Sequence, residues 1–209
     1  MQLYDYWRSS AAYRVRIALK IKGLEVEQIP VDLRAGGQRA DDYLKINPQG
    51  LVPFFRDGKL AMGQSLAIIE YLEETHPKPS VLPDDPVQRA KSRAAAQIIA
   101  ADVHPLNNLR VLRLLESEFG SDQKQRGAWY HHWLSKGFQT IEAMVKDEPG
   151  DFAFGDEPTL ADICLIPQVY NAKRYEFDLR AYPTIRGIDD RCQEVEAFAK
   201  AAPQHQPDA

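Results

Sequence analysis

The chain has 209 residues, 44% of them hydrophobic, and 26 basic against 30 acidic residues give it a formal net charge of −4. That length and apolar content suffice for a core in one large domain or two smaller ones and exclude a disordered chain. The acidic balance, with no cluster of lysines, speaks against nucleic acid as a partner, and no stretch approaches the ~20 apolar residues of a membrane span.

In chain order, Leu3 to Tyr6 is rich in β-formers, Ser10 to Lys22 reads as a helix stopped by Gly23, and Val26 to Val31 reads as a second strand, which together make a βαβ unit. Ser9 and Ser10 fall where the first strand turns into an amphipathic stretch, Tyr13 to Lys20. Unpaired N–H groups and the positive end of the dipole make a helix start a place for a thiolate or an anion, although Ser9 reads equally well as a helix cap. The two cysteines, Cys164 and Cys192, both lie in the second half. A thiolate working at this turn would therefore arrive with a cofactor, and glutathione is the evident candidate. The cysteines form no disulfide framework and have no metal-ligand spacing, and the neighbours His131 and His132 point to different faces, so no metal is expected.

Arg34 to Arg39, with Gly36-Gly37, reads as a loop, and Asp41 to Ile46 as a short helix broken by Asn47-Pro48-Gln49-Gly50. Val52 to Phe55 and Leu60 to Met62 flank Asp57-Gly58, a hairpin signal, and Gln64-Ser65 opens an apolar helix that ends at Thr75. This order is thioredoxin-like. Val52-Pro53 is a candidate cis peptide that would present the Val52 backbone edge-on to an extended peptide. A trans proline at a strand start is the alternative, and the thioredoxin-like order favours cis by analogy. Four prolines between His76 and Pro86 interrupt regular structure. Helical patterns then run over Val87 to Glu118, Gln123 to Lys146, Leu160 to Arg174 and Thr184 to Lys200, and Thr159 to Asp162 reads as a capping box with Asp in place of Glu or Gln. The fold class is α/β plus all-α: a thioredoxin-like domain over 1–76, a Pro-rich linker over 77–86 and an all-helical domain over 87–209.

Three motifs in the right order carry a resemblance that covers essentially the whole chain: Arg8 to Leu19, Asn47 to Pro53, and Gln64 to Leu72. They are similar to the signature and glutathione-binding segments of zeta-class glutathione transferases, and Asp102 to Arg110 with Pro167 to Arg174 resembles the bacterial isomerases of that class, which act on maleylacetoacetate or maleylpyruvate. The family signature has a cysteine after its two serines where this chain has Ala11. That leaves the glutathione sulfur as the nucleophile at the turn.

The resemblance implies glutathione transferase architecture and glutathione as a cofactor that is regenerated by reversible addition to a cis double bond. It implies that Ser9, helped by Ser10, stabilises the thiolate, that Gln38, Gln49, Val52 and Pro53 hold the glutathione backbone, and that Gln64 and Ser65 at a helix start hold its γ-glutamyl carboxylate. It sets Asp102, His104 and Asn108 against the cofactor from the second domain, His104 and Asn108 sharing one helix face. Gln38 and Gln49 read otherwise as solvated loop residues, Ser65 as a plain cap, and His104 as a capping or core residue. Arg8, Arg110 and Arg174 are suited to hold a small dicarboxylate keto acid, since guanidinium binds carboxylate bidentately, and Arg8 is also a candidate catalytic group. Arg110 and Arg174 read equally as surface residues. Tyr4 and Tyr6 fall inside the strand pattern and read as packing residues. A homodimer and a cytoplasmic location are expected, the latter because the sequence starts on a strand pattern with no leader. Two other readings fit the same architecture: a conjugating or dehalogenating transferase, and a non-catalytic binding module. A thioredoxin-type redox role lacks its C-x-x-C pair.

Overall fold

A computed structural model describes residues Met1–Ala209. The chain divides into two compact units, one made of Met1–Val81 with Gln193–Ala209, the other of Leu82–Cys192. The sequence pattern continues the helical domain to residue 209, whereas 193–209 groups with the first unit.

In the first unit the order is β1 (Gln2–Asp5), α1 (Ser10–Ile21), β2 (Glu27–Pro30), a 3-10 turn at Gly37–Arg39, α2 (Asp41–Ile46), β3 (Phe54–Asp57), β4 (Leu60–Gly63) and α3 (Ser65–Thr75). The sheet runs β2-β1-β3-β4, with β1 parallel to β2 (Leu3 opposite Gln28) and antiparallel to β3 (Leu3 opposite Phe55). The hairpin pairs Asp57 with Leu60, so its two turn residues are Gly58 and Lys59, and Gly58 takes φ +56, a conformation that favours glycine. Tyr4, Tyr6, Val31, Tyr43, Val52 and Phe54 form one core cluster, which makes Tyr4 and Tyr6 packing residues.

The amphipathic reading of α1 gives way to a helix buried from Ala12 to Leu19, Arg14 and Arg16 included. Such burial requires partners. Arg16 Nη1 donates to both carboxylate oxygens of Asp5 at 2.8 and 2.9 Å, and its Nε donates to the Ala201 carbonyl at 3.0 Å. The carbonyl belongs to α10 (Glu196–Ala201), whose Phe198 carbonyl also accepts from the Tyr13 hydroxyl.

At the far end of α1, Lys22 Nζ donates to Glu73 (2.7 Å) and to the carbonyls of His76 and Pro79, and Glu73 also accepts from Ser80 Oγ and the Val81 N–H. Burial alone would push the Glu73 carboxyl up, but these donors outweigh it and hold its pKa below the ordinary value. A depressed folded pKa adds stability above the unfolded pKa of about 4.3 that is lost as pH falls through the folded value. Glu73→Gln is therefore expected to be less stable than wild type near neutrality, with the gap closing in acid. Urea unfolding at a series of pH values checks this, and a pH-independent gap would count against it.

The second unit contains α4 (Pro86–Gln97), a π-helical turn at Ile98–Val103, α5 (His104–Leu106), α6 (Leu109–Phe119), α7 (Gln123–Val145), α8 (Leu160–Arg174) and α9 (Pro183–Glu194), whose last two residues lie past the unit boundary. Helix α8 is buried over most of its length and starts on the expected capping box, Thr159 with Asp162. The fully buried Asp162 accepts from the N–H groups of Ala153 (2.9 Å) and Thr159 (2.8 Å). The helix expected over Thr184 to Lys200 is interrupted at extended Val195.

The single helix expected over Val87 to Glu118 is in fact broken. Pro105 has no N–H to continue the ladder, and Asn108 is extended and caps α6 by accepting from the Arg110 N–H at 3.1 Å. Helix α7 takes up what the break releases, with Trp129 Nε1 donating to the Leu106 carbonyl at 2.9 Å and Asn107 Nδ2 donating to the Tyr130 carbonyl at 3.2 Å.

Helix α7 also approaches the π turn closely, since a Cβ on Gly137 would stand 2.2 Å from Val103 Cγ2, while one on Gly127 of the same helix would meet nothing within 4 Å. Gly137→Ala is expected to lose about 1–3 kcal/mol by overpacking, and Gly127→Ala to gain about 0.5–1 kcal/mol. Urea unfolding of both variants tests the packing, and shifts of the same sign would contradict it.

Candidate functional site

The turn from Tyr6 to Ser9 joins β1 to α1 and closes with the Ser9 N–H donating to the Tyr6 carbonyl at 2.8 Å. Ser9 is the N-cap of α1: its backbone is extended and its Oγ accepts from the Ala12 N–H at 3.2 Å. The capping role takes a lone pair and leaves the hydroxyl hydrogen to donate, so the cap reading and the thiolate reading coexist in one side chain. Ser9 is partly exposed, whereas Ser10 is buried in the first turn of α1. The adjacent Arg8 lies with its guanidinium 4.6 Å over the Trp7 ring and donates to the Tyr6 hydroxyl at 3.2 Å.

Other segments of the same unit bring Gln38, Gln49, Pro53 and Gln64 close to one another. Asn47 is buried, accepts from the Gln49 N–H and donates to the Leu51 carbonyl, which also accepts from the Tyr43 hydroxyl, fixing the loop that leads to Val52. The Val52–Pro53 peptide is cis. Gly50, at φ +61, lets this loop approach Gln38, whose carbonyl would be 3.1 Å from a Cβ on that residue. Gln38 is thus buried, not the solvated loop residue its composition suggested, and its Oε1 has no hydrogen-bond partner.

Gln49 Oε1 accepts from Gln64 Nε2 at 3.0 Å. Gln64 precedes α3 at φ +70, ψ +104, a conformation rare outside glycine. Ser65 is buried at the start of α3 and its Oγ accepts from Arg14 Nη1 at 3.2 Å. Pattern reading missed Arg14. No local signal marks it, since in Tyr13-Arg14-Val15-Arg16-Ile17 it alternates with apolar residues as the polar positions of an amphipathic stretch do. A buried guanidinium beside the N-terminus of α3 adds positive potential where the helix already presents unpaired N–H groups.

In the second unit, Asp102 is exposed in the π turn and His104 opens α5. His104 and Asn108 do not share a helix face, because the chain leaves the helix between them. Arg110 is exposed on α6. Arg174, at the end of α8, donates to Asn171 Oδ1 at 3.0 Å and lies 5.7 Å over the Tyr175 ring. His131 bonds the Tyr175 carbonyl, while His132 meets Trp133 edge-on, so the two histidines serve different neighbours. No helix is long and apolar enough to cross a membrane.

Residues 3–80 match the family described as glutathione S-transferase, N-terminal domain, and residues 127–200 its C-terminal domain. A probable maleylacetoacetate isomerase of Vibrio cholerae is 48% identical, over 99% of this chain and 97% of its own. The holo structure of a maleyl pyruvate isomerase, described as a bacterial zeta-class glutathione S-transferase, superposes with a TM-score of 0.98 at 44% identity over the whole of both chains. A maleylacetoacetate isomerase from Methylobacterium extorquens, solved with bound malonate and GSH, gives a TM-score of 0.96 at 40% identity over 100% of this chain and 99% of that one. Matched over its full length at these identities, the chain belongs to the zeta-class glutathione transferase family.

Proposed function

We propose that the protein is a glutathione-dependent cis–trans isomerase that converts maleylpyruvate to fumarylpyruvate. The observation that carries the reading is the β1–α1 turn, where a partly exposed serine hydroxyl at a helix start stands next to an arginine, with both protein cysteines buried in the other unit. Relatives named for this chemistry, matched along their whole length, support it.

The residues of the first unit fit glutathione. Gln38 Oε1 is a buried acceptor in need of a donor, and a peptide N–H of the cofactor is one. The start of α3, with Ser65 backed by Arg14, suits a carboxylate, and the Val52 backbone can pair with an extended peptide. When bound, glutathione supplies the thiolate that adds reversibly to the double bond, and rotation about the bond so made single is the isomerisation. Ser9 donates a hydrogen bond to the sulfur, and the dipole of α1 lowers the thiol pKa. Arg8 holds a substrate carboxylate and offsets the negative charge that develops on the keto acid. Arg110 and Arg174 are assigned to the substrate's carboxylates. The malonate bound to the Methylobacterium extorquens relative is itself a dicarboxylate, which supports the substrate class.

The reading includes a homodimer, supported by the exposed Leu109, Leu114 and Phe119 of α6, and a cytoplasmic setting, where glutathione keeps thiols reduced. Light scattering on a sizing column reads the assembly.

The deciding experiment mixes maleylpyruvate with purified protein at sub-stoichiometric glutathione and identifies the product. Fumarylpyruvate formed in many turnovers per glutathione is the expected result. Conversion of maleylacetoacetate alone would move the protein to the other isomerase, and a stable thioether that consumes glutathione would make it a conjugating transferase.

A further inference from the structure

The backbone of Trp7, at the centre of the turn that carries Arg8 and Ser9, is held at both ends by side chains. Its carbonyl accepts from Arg16 Nη2 at 2.9 Å, and its N–H donates to Asp208 Oδ2 at 3.1 Å, a partner 201 positions away in sequence. Gln206, two residues before, is buried; its Oε1 accepts from Gln28 Nε2 at 2.9 Å, and the same Gln28 nitrogen donates to Asp5 at 3.1 Å. Asp5 holds Arg16 and also accepts from the Tyr6 N–H at 2.6 Å, while Arg16 Nε reaches the Ala201 carbonyl. The bonds close a ring that runs from 201–208 through Gln28, Asp5 and Arg16 to Trp7 and back to Asp208. Gln206 Nε2 braces the segment itself by donating to the carbonyls of Lys200 and Ala202.

We infer that residues 201–208 act as a strap that sets the Tyr6–Ser9 turn for catalysis, with Asp208 and Gln206 as positioning residues. Neither is among the residues assigned to cofactor or substrate. Their effect passes through the Trp7 backbone, which fixes the ring on which the Arg8 guanidinium rests and the start of the helix that Ser9 caps. An N–H bonded to a carboxylate is among the stronger backbone ties, so its removal frees the turn locally. The catalytic part of the inference rests on the function proposed above, whereas the strap itself does not.

The test compares Asp208→Ala and Asp208→Asn with wild type in the full chain. Asparagine retains an oxygen acceptor for the Trp7 N–H, and alanine does not. Asp208→Ala is expected to speed hydrogen exchange at the Trp7 amide, to lower kcat/KM roughly 10- to 100-fold, the scale of a small misplacement of catalytic groups, and to shift the pH profile of kcat/KM upward as the bound thiol loses stabilisation. Asp208→Asn is expected to restore all three. Gln206→Ala, which cuts the tie to Gln28 without touching Trp7, is expected to act in the same direction and less strongly. Unchanged Trp7 exchange in Asp208→Ala overturns the strap. Faster exchange with wild-type kcat/KM and pH profile overturns its role in catalysis. A wild-type protein that protects the Trp7 amide, loses the protection in Asp208→Ala and isomerises neither maleyl keto acid supports the strap and overturns the reaction.

Discussion

Replacing Ser9 with alanine is expected to lower kcat/KM for isomerisation by about 10²- to 10³-fold, the usual loss when one donor to a developing or resident anion is removed. The same change removes the α1 cap that accepts from the Ala12 N–H, worth about 1 kcal/mol. Ser9→Gly separates the two roles, because glycine at an N-cap costs only a few tenths of a kcal/mol while lacking the hydroxyl just as alanine does. Both variants are expected to lose activity equally and to differ in stability, and in both the pH profile of kcat/KM moves upward as the thiol pKa rises. Activity that follows stability across the two variants would reduce Ser9 to a helix cap.

The largest stability effect is expected at Arg16. Its partner Asp5 has a side chain only 3% exposed, and replacing Arg16 with leucine leaves that carboxylate buried with only neutral donors from Tyr6 and Gln28. Breaking a buried pair from one side costs about 3–5 kcal/mol, a large share of the 5–15 kcal/mol that holds an ordinary domain together. The carbonyls of Trp7 and Ala201 lose their donor at the same time. The double variant Asp5→Leu with Arg16→Leu removes the stranded charge and is expected to recover part of the loss. Urea unfolding measures both. An Arg16→Leu protein within about 1 kcal/mol of wild type would show that Asp5 finds water or another cation when its partner is gone.

What could be read from the sequence divides by the distance over which the determining interaction acts. The strands, the hairpin, α2 and the capping box at Thr159 follow from period, turn chemistry and a three-residue spacing, and each stands within about two residues of its expected place. The break at 104–108 was legible in principle, since Pro105 and two asparagines stand there, but the apolar pattern continues across it and masked the signal. The burial of Arg14 and Arg16 was not legible. Alternating arginine with apolar residues looks like a polar face until Ser65, Asp5 and Ala201 are folded against it, and no local pattern reports partners so far along the chain. Residues 193–209 continue the helical pattern before them, yet they belong with the sheet, because what assigns them is contact with α1 rather than their own composition. Within the candidate site, Ser9 and Gln64-Ser65 announced themselves as helix starts, while the burial of Gln38 depends on the approach permitted by Gly50.

The two cysteines have a practical consequence. Cys164 in α8 and Cys192 in α9 are both fully buried, and burial, together with the negative charge of Asp162 and Asp189, pushes the Cys192 thiol far up from its ordinary value. Thiolates, not thiols, react with electrophilic labels, so both sulfurs stay silent while the helices around them are closed. Since both lie in the Leu82–Cys192 unit, a brief pulse of a thiol label counts openings of that unit and ignores those of the sheet unit, giving that half of the molecule a clock of its own.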